Sequence, residues 1–387
     1  MPEAPQPGSG VRVPFNYLPE QFAHPEPILQ AIAGVVASGD FTLGAVVTAF
    51  ESAFAAKAGA RHAIGVNSGT DGLKLALRAA GTGPGDEVIT AANTFVASVG
   101  AIAELGARPV FVDVDDSLCL DLSQVEAAIG PSTRAIMPVH LSGTMVDMAE
   151  LNRIAGRHGI AVVEDACQAF MTQQDGRQAG TWGRAGVFSM HPLKFLNIWG
   201  DGGVIVTDDD GLDAQLRLLR NHGLVDRDTV VLMGCNSRLD SLQAAVALQM
   251  LPQADAIVAR RNAIAARYDA ALAGLPGLRI PRRHPQVRHS FVTYQLFCDR
   301  RDALAAQCAA QGIEVKIHYP VPIYRQPALA PYLPAGARFP ETDRQAAQTL
   351  TLPVHQYLDD SQVEHVVATL RDFALDDSKA GGREAAQ

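Results

Sequence analysis

The chain has little with which to hold a nucleic acid, a membrane or a metal. Its 387 residues contain no polybasic block, and 32 Lys+Arg against 41 Asp+Glu leave a formal net charge of −9. Nothing in that balance favours an anionic polymer or an anionic lipid surface. No apolar run approaches the roughly 20 residues needed to span a bilayer. The opening MPEAPQPGSG lacks the basic start and apolar core of a secretory signal, so a cytoplasmic protein is expected. Cysteine is scarce: Cys119, Cys167, Cys235, Cys298 and Cys308 are scattered, with no C-x-x-C pair and no Cys/His run at zinc spacing. Free thiols in a reducing compartment and no metal site are the expectation. Also missing are G-x-x-x-x-G-K-[ST] and a G-x-G-x-x-G after the first strand-like run, which argues against a nucleotidase loop and a dinucleotide-dependent oxidoreductase. Any phosphate site in so acidic a chain must be built locally.

What is present is an ordinary globular composition, 48% hydrophobic and 19% charged, long enough for two domains. Both ends look loose, residues 1–14 by their Pro/Gly/Ser content and residues 376–387 by DDSKAGGREAAQ. Between Ile64 and Asp209, short β-branched runs recur at AIGV, EVIT, PVFVDV, AIMPVHL, IAVVEDA, GVFSM and GVIVTDD. Amphipathic stretches such as Thr70–Ala80 and Met145–His158 separate the first five. Near-continuous apolar strands alternating with helices predict an α/β architecture, a mainly parallel sheet covered on both faces. Ligands of such sheets bind beyond the carboxyl ends of the strands. From Leu239 to Ala273 the pattern reads as one long helix ended by Pro276 and Gly277. SFVTYQLFC, a helix near Asp302–Gln311, EVKIHY and LTLPV then suggest a smaller α+β domain. The expected domains are 15–255 and 256–375.

Three pieces could carry chemistry. NSGTDGLKLAL places small polar residues where a strand gives way to a helix near Thr70. A helix start offers unpaired N–H groups and a positive dipole end to a phosphate, though Ser68 or Thr70 could equally be a simple cap. In IAVVEDACQAF a strand delivers Asp165 and Gln168 at its carboxyl end, where a carboxylate can bind a protonated ring nitrogen or a metal, or cap the next helix. Lys194 lies among apolar residues in the loop joining GVFSM to GVIVTDD; burial would lower its pKa and expose the neutral amine to reaction. A phosphate-ready helix start, an acid at a strand end and a lysine on a strand-end loop are together what pyridoxal phosphate needs: donors for its phosphate, a carboxylate for its ring nitrogen, an amine for its aldehyde. Phe95, at another strand–helix junction, could stack on a flat ring.

From Phe15 to Leu375 the sequence resembles the DegT/StrS group of sugar aminotransferases, fold-type I pyridoxal-phosphate enzymes. GVNSGTDGL, GPGDEVIT, TFVAS, PVFVDVD, AIMPVHLSG, VVEDACQA, FSMHPLK, GDGGVIVTDD, RNHG, NSRLDSLQAA and IHYPVPIYRQPA match the group's pattern in register. The resemblance implies a large domain with a mostly parallel seven-stranded sheet flanked by helices, and the smaller C-terminal domain. It implies that an amino group passes from glutamate, or glutamine, to a nucleotide-linked or phosphorylated keto-sugar, for amino-sugar biosynthesis. It gives Lys194 the Schiff base and the later proton transfer, and Asp165 the pyridinium nitrogen. Gln168 would meet the phenolic oxygen, Phe95 one ring face, and Gly69, Thr70 and Ser189 the phosphate. Asp71 joins this cofactor-binding set by position, although its charge would repel a phosphate unless its side chain faced away or capped the helix. Asn236 would reach the phosphate of a partner subunit, so a homodimer with shared active sites is implied. His318 and Tyr319 would border the acceptor. His191 and Phe195 depart from the commonest pattern and are where substrate preference is expected. Arg238 and Asp240 would fix their loop, and Arg220 and His222 are donor-carboxylate or structural candidates. Two other readings stay open: a dehydratase of the same group, in which histidine replaces the lysine, and a pyridoxal-phosphate-binding regulatory protein without turnover.

Overall fold

The computed structural model describes residues 12–384, with side chains described through Leu375. Residues 1–11 and 385–387, parts of the two expected tails, lie outside the described residues. Seven strands form the main sheet: β1 (His62–Val66), β2 (Glu87–Ala91), β3 (Arg108–Val112), β4 (Thr133–Met137), β5 (Ala161–Asp165), β6 (Ala185–Ser189) and β7 (Gly203–Thr207). Their order is β1-β7-β6-β5-β4-β2-β3. The pairs from β6 through β3 are parallel, and β7 runs antiparallel to both of its neighbours. Helices α1 (Glu26–Ser38), α2 (Ala45–Ala58), α3 (Gly69–Ala79), α4 (Val96–Glu104), α5 (Leu122–Ala128), α6 (Met148–His158), α7 (Asp210–Leu219) and α8 (Ser241–Met250) complete the large domain.

The strands alternate between two cores, as their two-residue period requires. Val187 and Ile205 face Leu73, Ala76 and Leu216 of α3 and α7. Phe188, Val204 and Val206 face Phe54, Ile154 and Val246 of α2, α6 and α8. With apolar cover on both faces, the strands' loop-side ends are left for a ligand.

The smaller domain is built on α9 (Ala254–Leu272), α10 (Arg301–Ala310), α11 (Pro340–Gln348), α12 (Asp360–Glu384) and an antiparallel sheet of β8 (Leu278–Arg279), β9 (Tyr294–Cys298) and β10 (Thr349–Leu352). Helix α9 joins the two cores. Ile257 and Val258 sit in the large-domain core, whereas Ile264, Tyr268 and Leu272 sit in the small-domain core.

Four expectations need correcting. The long helix from Leu239 is broken by a 3-10 turn at Leu251–Gln253, because Pro252 has no N–H to continue the ladder. EVKIHY forms no strand; Lys316 makes a single bridge to Thr351. Val13, assigned to the N-terminal tail, is fully buried and bridged to Ile313, an apolar side chain with a small-domain core to enter. At the other end α12 runs to Glu384, through a segment whose glycines weaken a helix but which has no proline to stop it.

Candidate active site

The carboxyl ends of β1, β2, β5 and β6 open on a cavity of about 320 Å3 lined by Ser68, Thr70, Thr94, Phe95, Asp165, Cys167, Gln168, Ser189, His191, Lys194, Asp201, Thr293, His318 and Tyr319, among others. It brings together the helix start, the strand-end acid and the loop lysine from three separate parts of the chain.

The helix start is α3. Ser68 caps it, its Oγ accepting from the Asp71 amide at 3.1 Å. The first turn of any helix has further N–H groups without intrahelical partners, here beside the Thr70 and Ser189 hydroxyls. The position of Gly69 is so close that a Cβ there would lie 2.8 Å from Ser189 Cβ and 2.9 Å from Cys167 Sγ. On the other side, a Cβ on Gly203 would lie 2.5 Å from the Ser68 carbonyl. Glycine at both positions lets the start of α3 press against the ends of β6 and β7. Asp71 holds its side chain away from the cavity: its carboxylate turns along the helix to Lys74, 3.0 Å away, and the residue is not part of the cavity lining, as expected of a charge that would repel a phosphate. An i,i+3 lysine and the surface side of the helix give that charge a better partner than a second anion.

Asp165 is the last residue of β5 and is only 5% exposed. Its Oδ2 accepts from Ser98 Oγ at 2.7 Å and its Oδ1 from the Cys167 amide at 3.1 Å. Ser98 Oγ lies 2.6 Å from Thr94 Oγ1, so the carboxylate is braced on both oxygens. Gln168 is held at both ends of its amide: Oε1 accepts from the Ser142 amide at 3.0 Å, and Nε2 donates to the Tyr319 hydroxyl at 3.4 Å. Phe95, 46% exposed, stands 5.7 Å from the Tyr319 ring. Burial pushes the Tyr319 phenol up to about 12. Burial, helped by Asp165, raises the Cys167 thiol well above its ordinary value, so this cysteine is no thiolate nucleophile.

Lys194 is half-buried on the β6–β7 loop. Its amide donates to the His191 carbonyl at 2.8 Å and its carbonyl accepts from Tyr17 Oη at 3.3 Å. Among the described residues its ammonium has no hydrogen-bond or ion-pair partner, unlike Lys57, paired with Asp255, and Lys74, paired with Asp71 and Glu104. His191 lines the cavity, with Nδ1 accepting from the Leu193 amide at 3.2 Å. Phe195 does not: it is 4% exposed and packs against Phe170. An aromatic ring one residue beyond the lysine falls on the core side of the loop, which corrects the expectation that it tunes the substrate. Arg220 is equally structural, buried in an ion pair with Glu51 and donating to the Gly65 carbonyl. Arg238 donates to Asn221 Oδ1 at 3.0 Å. Asn236 is exposed, bridged to Asn221, and outside its own chain's cavity.

Burial, with Lys194 and Lys316 nearby, lowers His318 to about 4; burial likewise brings His355 to about 4 and His289 to about 3. All three imidazoles are therefore neutral at pH 7. In the unfolded chain they protonate near pH 6.5. The unfolded state thus binds more protons as pH falls from 6.5 to 4, and folding stability is expected to fall through that window. The slope is at most about 1.4 kcal/mol per pH unit per histidine. Thermal melts at pH 7 and pH 5 check this. The pH 5 melt is expected lower, and the difference should shrink in His289→Gln.

Thr94, Ser98, Tyr17, Asp201 and Thr293 join the site or its support without an individual expectation from the sequence. Ser98 had a signal, a hydroxyl in the first turn of the helix that follows Thr94 and Phe95. Tyr17 had none, as 177 positions separate it from Lys194.

A seven-stranded α/β sheet with this cavity at its strand ends defines a fold-type I pyridoxal-phosphate transferase. Residues 24–371 match the DegT/DnrJ/EryC1/StrS aminotransferase family, and the chain belongs to that family. It is 43% identical over 345 residues to the dTDP-3-amino-3,4,6-trideoxy-alpha-D-glucose transaminase of Streptomyces venezuelae, covering 89% of this chain and 91% of that one. The crystal structure of S. venezuelae DesV in complex with a ketimine intermediate superposes with a TM-score of 0.91 at 41% identity, over 94% of this chain and 99% of that one. NtdA from Bacillus subtilis with bound cofactor PMP superposes with a TM-score of 0.87 at 29% identity, over 95% of this chain and 87% of that one. The enzyme is a pyridoxal-phosphate-dependent aminotransferase. Its cavity fits that cofactor: a glycine-tight helix start with hydroxyls for the phosphate, a braced carboxylate for the ring nitrogen, an aromatic face, and an unpaired amine.

Proposed function

We propose that the enzyme moves an amino group from glutamate, or glutamine, to the ketone of a nucleotide-linked or phosphorylated hexose for amino-sugar biosynthesis. The observation that carries this is the Lys194 amine, unpaired among the described residues, in the same cavity as the braced Asp165 carboxylate. The transaminase likeness to a dTDP-sugar enzyme supports the acceptor class. When bound, pyridoxal phosphate supplies an aldehyde and a ring that withdraws electrons from the carbon losing its proton. Lys194 would hold the cofactor, and its freed amine would take the proton from the donor's Cα in one half-reaction and give one to the acceptor carbon in the other. Asp165 would keep a proton on the ring nitrogen, and Gln168 would donate to the phenolic oxygen. Phe95 would cover one face. Gly69, Thr70 and Ser189 would bind the phosphate. His191, His318 and Tyr319 border the acceptor, the two histidines contributing polar contacts and, for His318, no positive charge at neutral pH. The presence of Lys194 sets aside the dehydratase reading, which needs histidine there.

A homodimer completes this reading, with Asn236 reaching the phosphate in the partner subunit. The segment leading to Asn236 supports it. Val225, Val230, Val231 and Met233 are 54%, 54%, 56% and 77% exposed, an apolar surface that wants cover. Five free cysteines suit a cytoplasmic location.

The test is a half-reaction followed by an acceptor screen. Glutamate should bleach the visible band of the holoenzyme, and a keto-sugar should restore it; a band that no amino donor bleaches would overturn the proposal. Gly69→Ala tests the phosphate cradle. Its methyl group must displace Ser189 or Cys167, overpacking of a kind that costs about 1–3 kcal/mol. Spectral titration should show cofactor affinity reduced on the order of tenfold, with circular dichroism unchanged.

A further inference from the structure

Arg261, on α9, is a large fully buried side chain at 1% exposure, and no carboxylate pairs with it among the described residues. Burying a guanidinium without an acid is costly unless its donors are otherwise satisfied. Here they are. Nη1 donates to the Phe291 and Val292 carbonyls, both at 3.2 Å. Nε and Nη2 donate to Gln356 Oε1 at 3.2 and 3.0 Å. Nη2 also donates to Tyr17 Oη at 3.1 Å. The guanidinium lies over two rings, Tyr17 at 5.5 Å and Phe195 at 5.1 Å.

These contacts converge on the lysine loop. Having accepted from Arg261, the Tyr17 hydroxyl gives its one proton to the Lys194 carbonyl. A hydroxyl polarised by a cation is a stronger donor. Four residues on, Gln21 exchanges two hydrogen bonds with Asn197, at 2.7 and 2.9 Å, and Asn197 Nδ2 donates to the Pro192 carbonyl at 2.7 Å. Asn197 is fully buried. The N-terminal segment therefore holds the loop at the Lys194 carbonyl and at the Asn197 side chain, and Asn197 in turn ties the loop back to Pro192 on the other side of Lys194. That segment is itself held by a cation from the small domain.

We infer that Tyr17 and Arg261 are positioning residues for Lys194, a clamp that fixes the backbone under the reactive amine and ties it to the docking of the small domain. Proton transfer requires the amine to return to one place, and small displacements of reacting groups reduce rates steeply. An apolar residue in place of Arg261 would fill the volume, but it could not orient the Tyr17 hydroxyl.

The inference rests on Lys194 as the cofactor-bearing residue, and its test separates the two. Tyr17→Phe keeps the ring and removes only the hydroxyl; Arg261→Lys keeps the charge and loses the fork. Both variants are expected to keep the visible band, which Lys194→Ala abolishes; a band that survives Lys194→Ala defeats the underlying reading instead. In the apoprotein, hydrogen exchange of the amides from Leu193 to Asn197 should quicken severalfold in Tyr17→Phe. In the loaded enzyme, bleaching by saturating glutamate should slow on the order of tenfold per cofactor-bearing site, with half-saturation unchanged. The double variant should be no slower than the slower single one, since both act through one hydroxyl. An unchanged saturating rate in Tyr17→Phe, whatever happens to its melting temperature, would reduce the clamp to ordinary packing and overturn the inference. Should Arg261→Lys fail to fold, Tyr17→Phe alone decides.

Discussion

Lys194→Ala is expected to remove the visible absorption band of the purified holoenzyme and to lower turnover by roughly 10^4-fold or more, the scale seen when a covalent nucleophile is deleted. Its fold should survive. The ammonium has no hydrogen-bond or ion-pair partner among the described residues, so its loss strands no buried charge, and the loop is held through its backbone by Tyr17 and Asn197. Lys194→Arg should fail as completely, because a guanidinium keeps the charge but does not offer a free amine. Spectra, melting temperature and a coupled assay on the three proteins check all of this. Wild-type turnover in Lys194→Ala would remove the lysine from the chemistry.

Asp165→Ala should show the opposite combination, a retained band with turnover reduced by about 10^3-fold, the scale set by loss of a well-placed electrostatic partner. Cofactor attachment depends on the amine, whereas labilising a C–H bond depends on a protonated ring nitrogen. The substitution also leaves Ser98 Oγ and the Cys167 amide without the oxygens they now meet at 2.7 and 3.1 Å. A stability loss of about 1–3 kcal/mol should accompany it. Asp165→Asn restores most of the shape without the charge. If its stability recovers while its turnover does not, the role is electrostatic; full activity in either variant would refute the assignment.

Much of the site was legible because each part depends on a local signal. Strand-to-helix junctions at Ser68–Thr70, at Phe95 and at Asp165 follow from a change of hydrophobic period, and the parallel sheet places those junctions at one edge. Lys194 stood out as a cation in an apolar loop. What was not legible depended on side-chain direction or on distant partners. Phe195 follows the lysine and points into the core. Tyr17 meets Lys194 only because the N-terminal segment lies against α9, a contact with no trace in local composition. The break at Pro252 was a local signal outweighed by the strong helical pattern on either side. The single bridge at Lys316 reflects tertiary pairing overriding β propensity.

The central claim, that Lys194 is the residue that carries the cofactor, is tested most directly by borohydride reduction of the holoenzyme followed by proteolysis and mass mapping. Reduction fixes the cofactor wherever it is covalently attached. A single pyridoxyl label on the peptide containing Lys194 is the predicted result. A label on Lys57, Lys74 or Lys316, with the Lys194 peptide unmodified, would contradict it.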